Sequence, residues 1–119
     1  MDAQLEILLQ IQDLKGQRRG LEEGRSERQV EEEAFNLRVD EALTGLDEKI
    51  DQVMEELDPG VRRRYDRLAG GIDRAVVPVI NGVCYGCFVS VATSVASDPA
   101  ERAKLRNCDH CGRFLYFLD

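Results

Sequence analysis

The chain has 119 residues, 33% of them charged, and a formal net charge of −7. This length suits one compact domain or two small units and excludes a large core. The acidic balance and the aromatic content of only 6% argue against binding nucleic acid over the whole surface. A local basic patch is not excluded by these values.

The sequence contains no segment that is long and apolar enough to span a membrane. A membrane helix needs ~18–20 apolar residues, and the longest apolar run, 75–80, contains Pro78. The chain opens with Met1-Asp2-Ala3 and not with a basic segment followed by an apolar one, so we expect no signal peptide and a cytoplasmic location. Because cytoplasmic thiols stay reduced, the four cysteines predict metal ligands before disulfides.

Charge and composition change near residue 60. Residues 1–60 carry 17 acidic and 7 basic side chains, whereas residues 61–119 carry 6 acidic and 9 basic ones. The two parts therefore have net charges of −10 and +3. Asp58-Pro59-Gly60 is a turn signal at this boundary, and Gly70-Gly71 is a second one. We predict a helical segment over 1–58, a connector with a short basic helix over 59–71, and a cysteine-bearing unit over 72–119.

The first segment has helical periodicity, with apolar residues three and four positions apart. One stripe consists of Ile7, Ile11, Leu14 and Leu21, and the second of Val39, Leu43, Leu46, Ile50, Val53 and Leu57. We predict an antiparallel coiled-coil hairpin, with helices over 2–23 and 27–57 and a turn near 24–26. The alternative is one continuous rod, about 84 Å long at ~1.5 Å per residue, that pairs in a homodimer.

The predicted hairpin leaves an apolar end without a partner. Its second helix would overhang the first by about two turns of ~3.6 residues. Ile50, Val53 and Leu57 lie in this overhang. We expect the connector helix, the C-terminal unit or a second chain to cover them.

The cysteines form two C-x-x-C pairs, Cys84/Cys87 and Cys108/Cys111, with 20 residues between the pairs. This spacing is typical of tetrahedral zinc bound by two thiolates from each of two turns. Strand-like runs flank the pairs at 74–80, 88–91 and 114–118, and a short helix is expected from Pro99 to about residue 106 with Asp98 as its N-cap. Cysteine turns placed between strands predict a zinc ribbon.

Four thiolates fill a tetrahedron and leave no position for substrate, which predicts one structural Zn²⁺ per chain. We expect the unit to fold only with metal because it has fewer than about 50 residues. Thiol redox chemistry and an iron–sulfur centre are the rival interpretations. His110 is the sole histidine and is interpreted as an exposed turn residue; with no phosphate loop or nucleophile motif, we predict no enzyme activity.

Basic residues of the C-terminal half are candidates for a partner-binding or nucleic-acid-binding surface. The alternative is that these arginines form ion pairs with the acidic helices of the same chain, which would give them only a structural role. These candidate residues are Arg62, Arg63, Arg64, Arg67, Arg74 and Arg113.

Two stretches carry a resemblance to a known family. The segments 82–87 (Gly-Val-Cys-Tyr-Gly-Cys) and 107–116 (Asn-Cys-Asp-His-Cys-Gly-Arg-Phe-Leu-Tyr), placed after a predicted coiled coil, resemble the bacterial C4-type zinc-ribbon proteins. The resemblance implies a helical hairpin followed by a zinc ribbon, with the four cysteines as ligands. It also implies adaptor roles, with RNA polymerase sigma factors, messenger RNA or flagellar and type III secretion components as partners.

The chain departs from that family in two respects. Its coiled coil is much shorter than the long hairpin typical of the family, and residues 88–91 lack the expected prolines. We therefore predict a transcription-associated adaptor that contacts RNA polymerase, a sigma factor or nucleic acid. The alternative is a protein-only scaffold or a secretion-associated or flagellar chaperone.

Overall fold

The computed structural model describes residues 2–28, 33–72 and 74–118. Most of these residues are helical, and the remainder include a small four-stranded sheet. The helices are α1 (Ala3–Arg28), α2 (Glu33–Met54), α3 (Pro59–Ala69), α4 (Thr93–Ala96) and α5 (Pro99–Arg102). The strands are β1 (Val76–Ile80), β2 (Val83–Cys84), β3 (Arg106–Asn107) and β4 (Phe114–Leu118). Among the described helices, none has both the length and the apolar character needed to cross a bilayer.

Helix α1 begins with a side-chain cap and extends further than the sequence predicted. The Asp2 carboxylate accepts hydrogen bonds from the backbone N–H groups of Gln4 and Leu5, at 2.8 and 3.2 Å. The predicted turn near 24–26 does not end the helix, because Gly24 lacks the left-handed backbone that would stop it and α1 continues to Arg28. The predicted start of the second helix at residue 27 therefore lies within α1, and residues 29–32 lie outside the described part.

Helices α1 and α2 pack against each other in opposite directions. Near the start of α1, the Gln4 side chain accepts a 2.7 Å hydrogen bond from the backbone N–H of Asp58, just after the end of α2. Further along α1, Arg18 forms an ion pair with Asp47 of α2 at 2.6 Å. The ion pair is exposed to solvent and contributes little to stability, so packing of the apolar stripes dominates this contact.

The main hydrophobic core joins all three segments that the sequence distinguished. Leu8 and Ile11 of α1 are fully buried, and Phe114 of β4 is buried with them. The remaining buried residues of this core are Leu5, Ile50, Val53, Met54, Leu57, Val61, Tyr65, Ala75 and Val76. The predicted overhang is therefore absent: Ile50, Val53 and Leu57 are covered within the chain, by α1, α3 and the sheet.

Helix α3 is the short basic helix expected in the connector. Pro59 lies in its first turn, where backbone N–H groups have no acceptor within the helix, so the N–H that proline lacks costs no hydrogen bond. Asp58 precedes it with an extended backbone. Val61 and Tyr65 lie four positions apart and are buried in the main core. The arginines between and beyond them lie on the exposed side.

The sheet has the strand order β2-β1-β4-β3. β1 and β4 pair in parallel over their full length, from Val76 opposite Phe114 to Ile80 opposite Leu118. β2 and β3 each add a short antiparallel edge. The two long strands lie at opposite ends of the C-terminal unit in sequence, so their pairing closes that unit.

The two faces of the sheet pack against different structures. Val76 and Phe114 face the helices and belong to the main core. Because side chains alternate along a strand, the next residues, Val77 and Leu115, lie on the other face and pack with Cys84 and Cys108 in a second cluster. The sheet is thus a layer between the helices and the cysteines.

Gln12 of α1 attaches the helices to the backbone of β1. Its side-chain amide donates to the Val76 carbonyl and accepts from the Val76 N–H, both at 3.0 Å. β2 pairs only with Val79 and Ile80, so the first residue of β1 would otherwise lack a partner on that side. The amide of Gln12 satisfies both polar groups, which an apolar residue could not do.

Two local expectations for the C-terminal unit need correction. Residues 88–91 do not form a strand; only an isolated bridge joins Ser90 to Val83, because the left-handed backbone of Phe88 interrupts the extended chain. The helix after Asp98 is only Pro99–Arg102, although Asp98 caps it as expected with a 3.0 Å bond from the Ala100 N–H. Helix α4 was not predicted.

Truncation of Leu8 tests the shared core. We expect Leu8→Ala to lower the free energy of unfolding by about 2–5 kcal/mol, because the side chain is fully buried. Leu37→Ala is the matched control, since Leu37 is 59% exposed and its truncation is expected to cost less than about 0.5 kcal/mol. Urea denaturation followed by circular dichroism measures both, and equal effects would contradict the core described here.

Candidate metal site

The first cysteine pair lies on a turn that the β1–β2 hairpin positions. Asn81 and Gly82 connect the two strands with φ values of 53° and 75°, the conformation of a two-residue hairpin turn. Cys84 ends β2, and the turn that follows brings Cys87 back beside it: the N–H of Phe88 donates to the Cys84 carbonyl at 2.7 Å. We call residues 84–89 the first knuckle.

The second cysteine pair forms a turn with the same backbone hydrogen bonds. In the second knuckle, residues 108–113, the N–H of Gly112 donates to the Cys108 carbonyl and the N–H of Cys108 donates to the Arg113 carbonyl, both at 2.8 Å. The first knuckle has the equivalent of the bond from Cys108 to Arg113: the N–H of Cys84 donates to the carbonyl of Val89 at 3.0 Å. The two turns therefore present their cysteines in equivalent ways, one after each edge strand of the sheet.

The four sulfur atoms meet in one cluster. All four Sγ atoms lie within 4.8 Å of one another. Across the knuckles, Cys84 Sγ lies 3.8 Å from Cys111 Sγ, and Cys87 Sγ lies 3.7 Å from Cys108 Sγ. Four sulfurs bonded to a single ion at ~2.3 Å are about 3.8 Å apart in a regular tetrahedron, so these residues fit one metal ion.

The protein environment opposes ionisation of some of these thiols. Burial raises the pKa of Cys84 to about 12 and also raises the pKa of Cys87. Burial disfavours the Cys111 thiolate too, but hydrogen bonds from Arg113, Cys108 and Cys84 outweigh it and lower the pKa of Cys111 to about 7. A buried group of thiolates needs a compensating positive charge, which a metal ion would supply.

Backbone N–H groups also point at the ligand sulfurs. The Gly86 N–H donates to Cys84 Sγ at 3.4 Å. The backbone N–H groups of Val89 and Arg113 favour the thiolate forms of Cys87 and Cys111, since each acts to lower the pKa of its cysteine. Such donors stabilise negative charge on sulfur and orient it toward a bound ion.

The two knuckles differ at the residue that follows their second cysteine. Gly112 has φ 79° and Phe88 has φ 62°, a left-handed conformation that is unfavourable for a bulky residue. The Phe88 side chain is nevertheless 71% exposed, and its ring lies 5.6 Å from that of the half-exposed Tyr85. The first knuckle therefore carries an exposed aromatic pair that the sequence analysis did not single out.

The candidate binding arginines lie in two different places. Arg62, Arg63 and Arg67 are exposed on α3. Arg64 of the same helix is exposed but donates to Asn107 Oδ1 at 2.9 Å, and Asn107 in turn donates to the carbonyl of Gly112. Helix α3 is thereby braced against the second knuckle.

The other two candidate arginines do not join the α3 group. Arg74 and Arg113 line a cleft between α1 and the sheet, and Arg113 donates to the carbonyl of Arg74 at 2.9 Å. Four of the six predicted residues therefore lie on α3, and two line this cleft. His110, as predicted, is an exposed turn residue and is not part of the sulfur cluster.

Comparisons with known proteins give two solved structures with a similar fold. The structure of CT398 from Chlamydia trachomatis is 30% identical, has a TM-score of 0.57, and the match covers 82% of this chain and 44% of that one. The structure of the HP0958 protein from Helicobacter pylori is 21% identical, has a TM-score of 0.63, and the match covers 71% and 36%. No protein-family model and no curated protein matches the sequence. The chain spans less than half the length of either structure, so the likeness describes its fold and assigns no family.

Replacement of a cysteine tests the site directly. We expect Cys84→Ser to weaken metal binding by more than about 100-fold, because removing a ligand costs more affinity than removing a residue that only hydrogen-bonds to a ligand. His110→Ala is the matched control from the same cluster of turns and is expected to retain full binding. Titration with Co²⁺, followed by its sulfur-to-metal absorption, measures both; equal weakening by the two variants would place His110 among the ligands.

Proposed function

We propose that the chain is a non-enzymatic zinc-binding adaptor that acts in transcription. The observation that carries this proposal is the group of four thiols at tetrahedral spacing. Four protein ligands complete the coordination of one ion and leave no place for water or substrate. Such a site holds a fold together and presents a surface to a partner.

Zinc is the ion that these residues favour. Thiolate ligands in a tetrahedron suit Zn²⁺, which has no geometric preference of its own, whereas Mg²⁺ and Ca²⁺ prefer oxygen ligands. Distances of 3.7 and 3.8 Å between sulfurs of opposite knuckles leave room for a single ion but not for an iron–sulfur cluster. Redox chemistry at a C-x-x-C pair has little support, since neither pair lies at the start of a helix, where a reactive thiolate would be stabilised. The lowered pKa of Cys111 arises from hydrogen bonds of Arg113 and of the neighbouring cysteines.

The architecture that we propose is a coiled-coil hairpin followed by a zinc ribbon. The opposite directions of α1 and α2 support the hairpin. The equivalent hydrogen bonds of the two knuckles, both attached to one sheet, support the ribbon. Both features agree with the resemblance to C4-type zinc-ribbon proteins.

Zinc removal is expected to destabilise the helices as well as the ribbon, because Val76 and Phe114 of the sheet belong to the helical core. We expect one zinc per chain, and a fall in Tm of more than about 10 °C after chelation, since 1 kcal/mol corresponds to ~4–8 °C in a domain of this size class. Elemental analysis of the purified protein and thermal scans with and without chelator measure these values. An unchanged Tm in a zinc-free sample would contradict the proposal.

Exposed features of the C-terminal half support a partner-binding surface. Arg62, Arg63 and Arg67 give α3 a basic side, and the Tyr85–Phe88 pair adds exposed aromatic area on the first knuckle. The left-handed backbone of Phe88 costs of order 1–3 kcal/mol in a place where glycine would be free of strain. Strain retained at an exposed side chain is typical of a residue selected for contact with a partner.

Charge reversal tests the transcription role. We expect the double variant Arg62→Glu, Arg63→Glu to reduce retention of RNA polymerase, a sigma factor or nucleic acid from bacterial lysate by about tenfold, which corresponds to ~1.4 kcal/mol. The control is Arg38→Glu, Lys49→Glu, which changes the charge equally on the exposed side of α2. Arg64 is left intact because it braces the second knuckle. No retention of these partners by the zinc-loaded wild type would contradict this role.

The alternative, a protein-only scaffold, is no longer supported by the sequence feature that first suggested it. That alternative depended on Ile50, Val53 and Leu57 as an apolar seam in need of a second protein. These residues are buried against α1, α3 and the sheet of the same chain. Burial of this seam within the chain removes the support that it gave to a partner helix or a second copy.

A further inference from the structure

Arg113 makes contacts that differ from those of the other candidate binding arginines. It follows Gly112 at the end of the second knuckle, and its side chain is half-buried. Its Nε donates a 2.9 Å hydrogen bond to the carbonyl of Arg74, which precedes β1. The backbone N–H and the side chain of Arg113 both interact with the sulfur of Cys111. The Arg113 side chain therefore extends from the second knuckle to the residue that precedes β1.

The same side chain fills the space above Gly86 in the first knuckle. A Cβ atom built at Gly86 would lie 2.5 Å from Arg113 Cδ and 3.1 Å from its Nε. Both distances are shorter than van der Waals contact, and the bond from Nε to Arg74 limits how far the side chain can move away. Gly86 has no left-handed backbone that would explain a glycine. The close approach of Arg113 is therefore the reason that glycine fits there.

We propose that Arg113 is a positioning residue of the metal site, which holds the two knuckles at the spacing that one tetrahedral ion requires. It reaches from the second knuckle across to the first and is anchored to the backbone before β1. This inference rests on the proposed metal-binding function and replaces the sequence-based assignment of Arg113 to a partner-binding surface.

Electrostatics adds a second reason for an arginine at this position. Four thiolates around a divalent ion carry a net charge of −2, and the sulfurs of Cys84 and Cys108 are buried. A guanidinium beside the Cys111 sulfur offsets part of that charge through a planar group that can donate several hydrogen bonds at once. Lysine would retain the charge but not this fork of donors.

The first test compares variants of Arg113 for metal affinity. We expect Arg113→Ala to bind Zn²⁺ about 10–100-fold more weakly than wild type, in competition with a chromophoric chelator. Arg113→Lys is expected to recover part of the loss. In both variants, the sulfur-to-metal absorption of bound Co²⁺ should keep the intensity of the wild type, because all four thiolate ligands remain. Affinities within about twofold of wild type for Arg113→Ala would overturn the proposal.

A double-mutant cycle with Gly86 gives the second and sharper test. Gly86→Ala introduces a methyl group against the Arg113 side chain without altering any cysteine or arginine, and we expect it to weaken zinc binding by about tenfold. In the Arg113→Ala background the obstructing atoms are absent, so the additional effect of Gly86→Ala should shrink to within about twofold. Independent, multiplicative effects of the two substitutions would overturn the proposal.

Two controls separate positioning from general loss of stability. Gly45→Ala adds a methyl group in open space on α2, and Gln12→Ala removes the hydrogen bonds that link α1 to the backbone of β1. We expect neither to weaken zinc affinity more than about twofold, although Gln12→Ala should lower Tm. A loss with Gln12→Ala as large as that with Arg113→Ala would indicate a general effect and overturn the specific role. Failure of the wild type itself to bind zinc would instead contradict the proposed function.

Discussion

The parallel pairing of β1 with β4 is the constraint on which the rest of the structure depends. Paired residues of these strands lie 38 positions apart in sequence, and their alignment from Val76–Phe114 to Ile80–Leu118 brings the two cysteine turns together. The strict alternation of side chains then assigns one face of the sheet to the helices and the other to the cysteines. A shift of one residue in this register would exchange the faces and separate the sulfur atoms.

This layered arrangement links metal binding to the stability of the helices. Phe114 packs among helical residues, while its neighbour Leu115 packs beside Cys84 and Cys108. Side-chain hydrogen bonds add two further links, from Gln12 to the backbone of β1 and from Arg64 to Asn107 beside the second knuckle. The two long strands of this sheet have only five residues each, so the sheet depends on the helices for its stability. An ion held by the four cysteines would stabilise it further.

The two knuckles show how nearly identical turns can serve different purposes. Their backbone hydrogen bonds match, yet one ends with Gly112 and the other with Phe88 in the same left-handed region. The second knuckle accepts glycine and uses the next residue, Arg113, to contact the first. The first knuckle retains a strained aromatic residue that points into solvent beside Tyr85. One turn thus contributes to packing within the cysteine cluster, and the other carries an exposed aromatic pair.

The sequence by itself determined the local features: the cysteine pairs, the predominance of helix, the Asp98 cap, α3 and the long strands. Each of these follows from spacing, periodicity or turn chemistry within a few residues. Tertiary structure decided where α1 ends, which residues cover Ile50 and Leu57, and what Arg113 contacts. The helix passes Gly24 with a right-handed backbone, although a glycine costs about 1 kcal/mol in a helix. The other two depend on residues far apart in the chain, and no local pattern indicates that Gly86 lies beside Arg113.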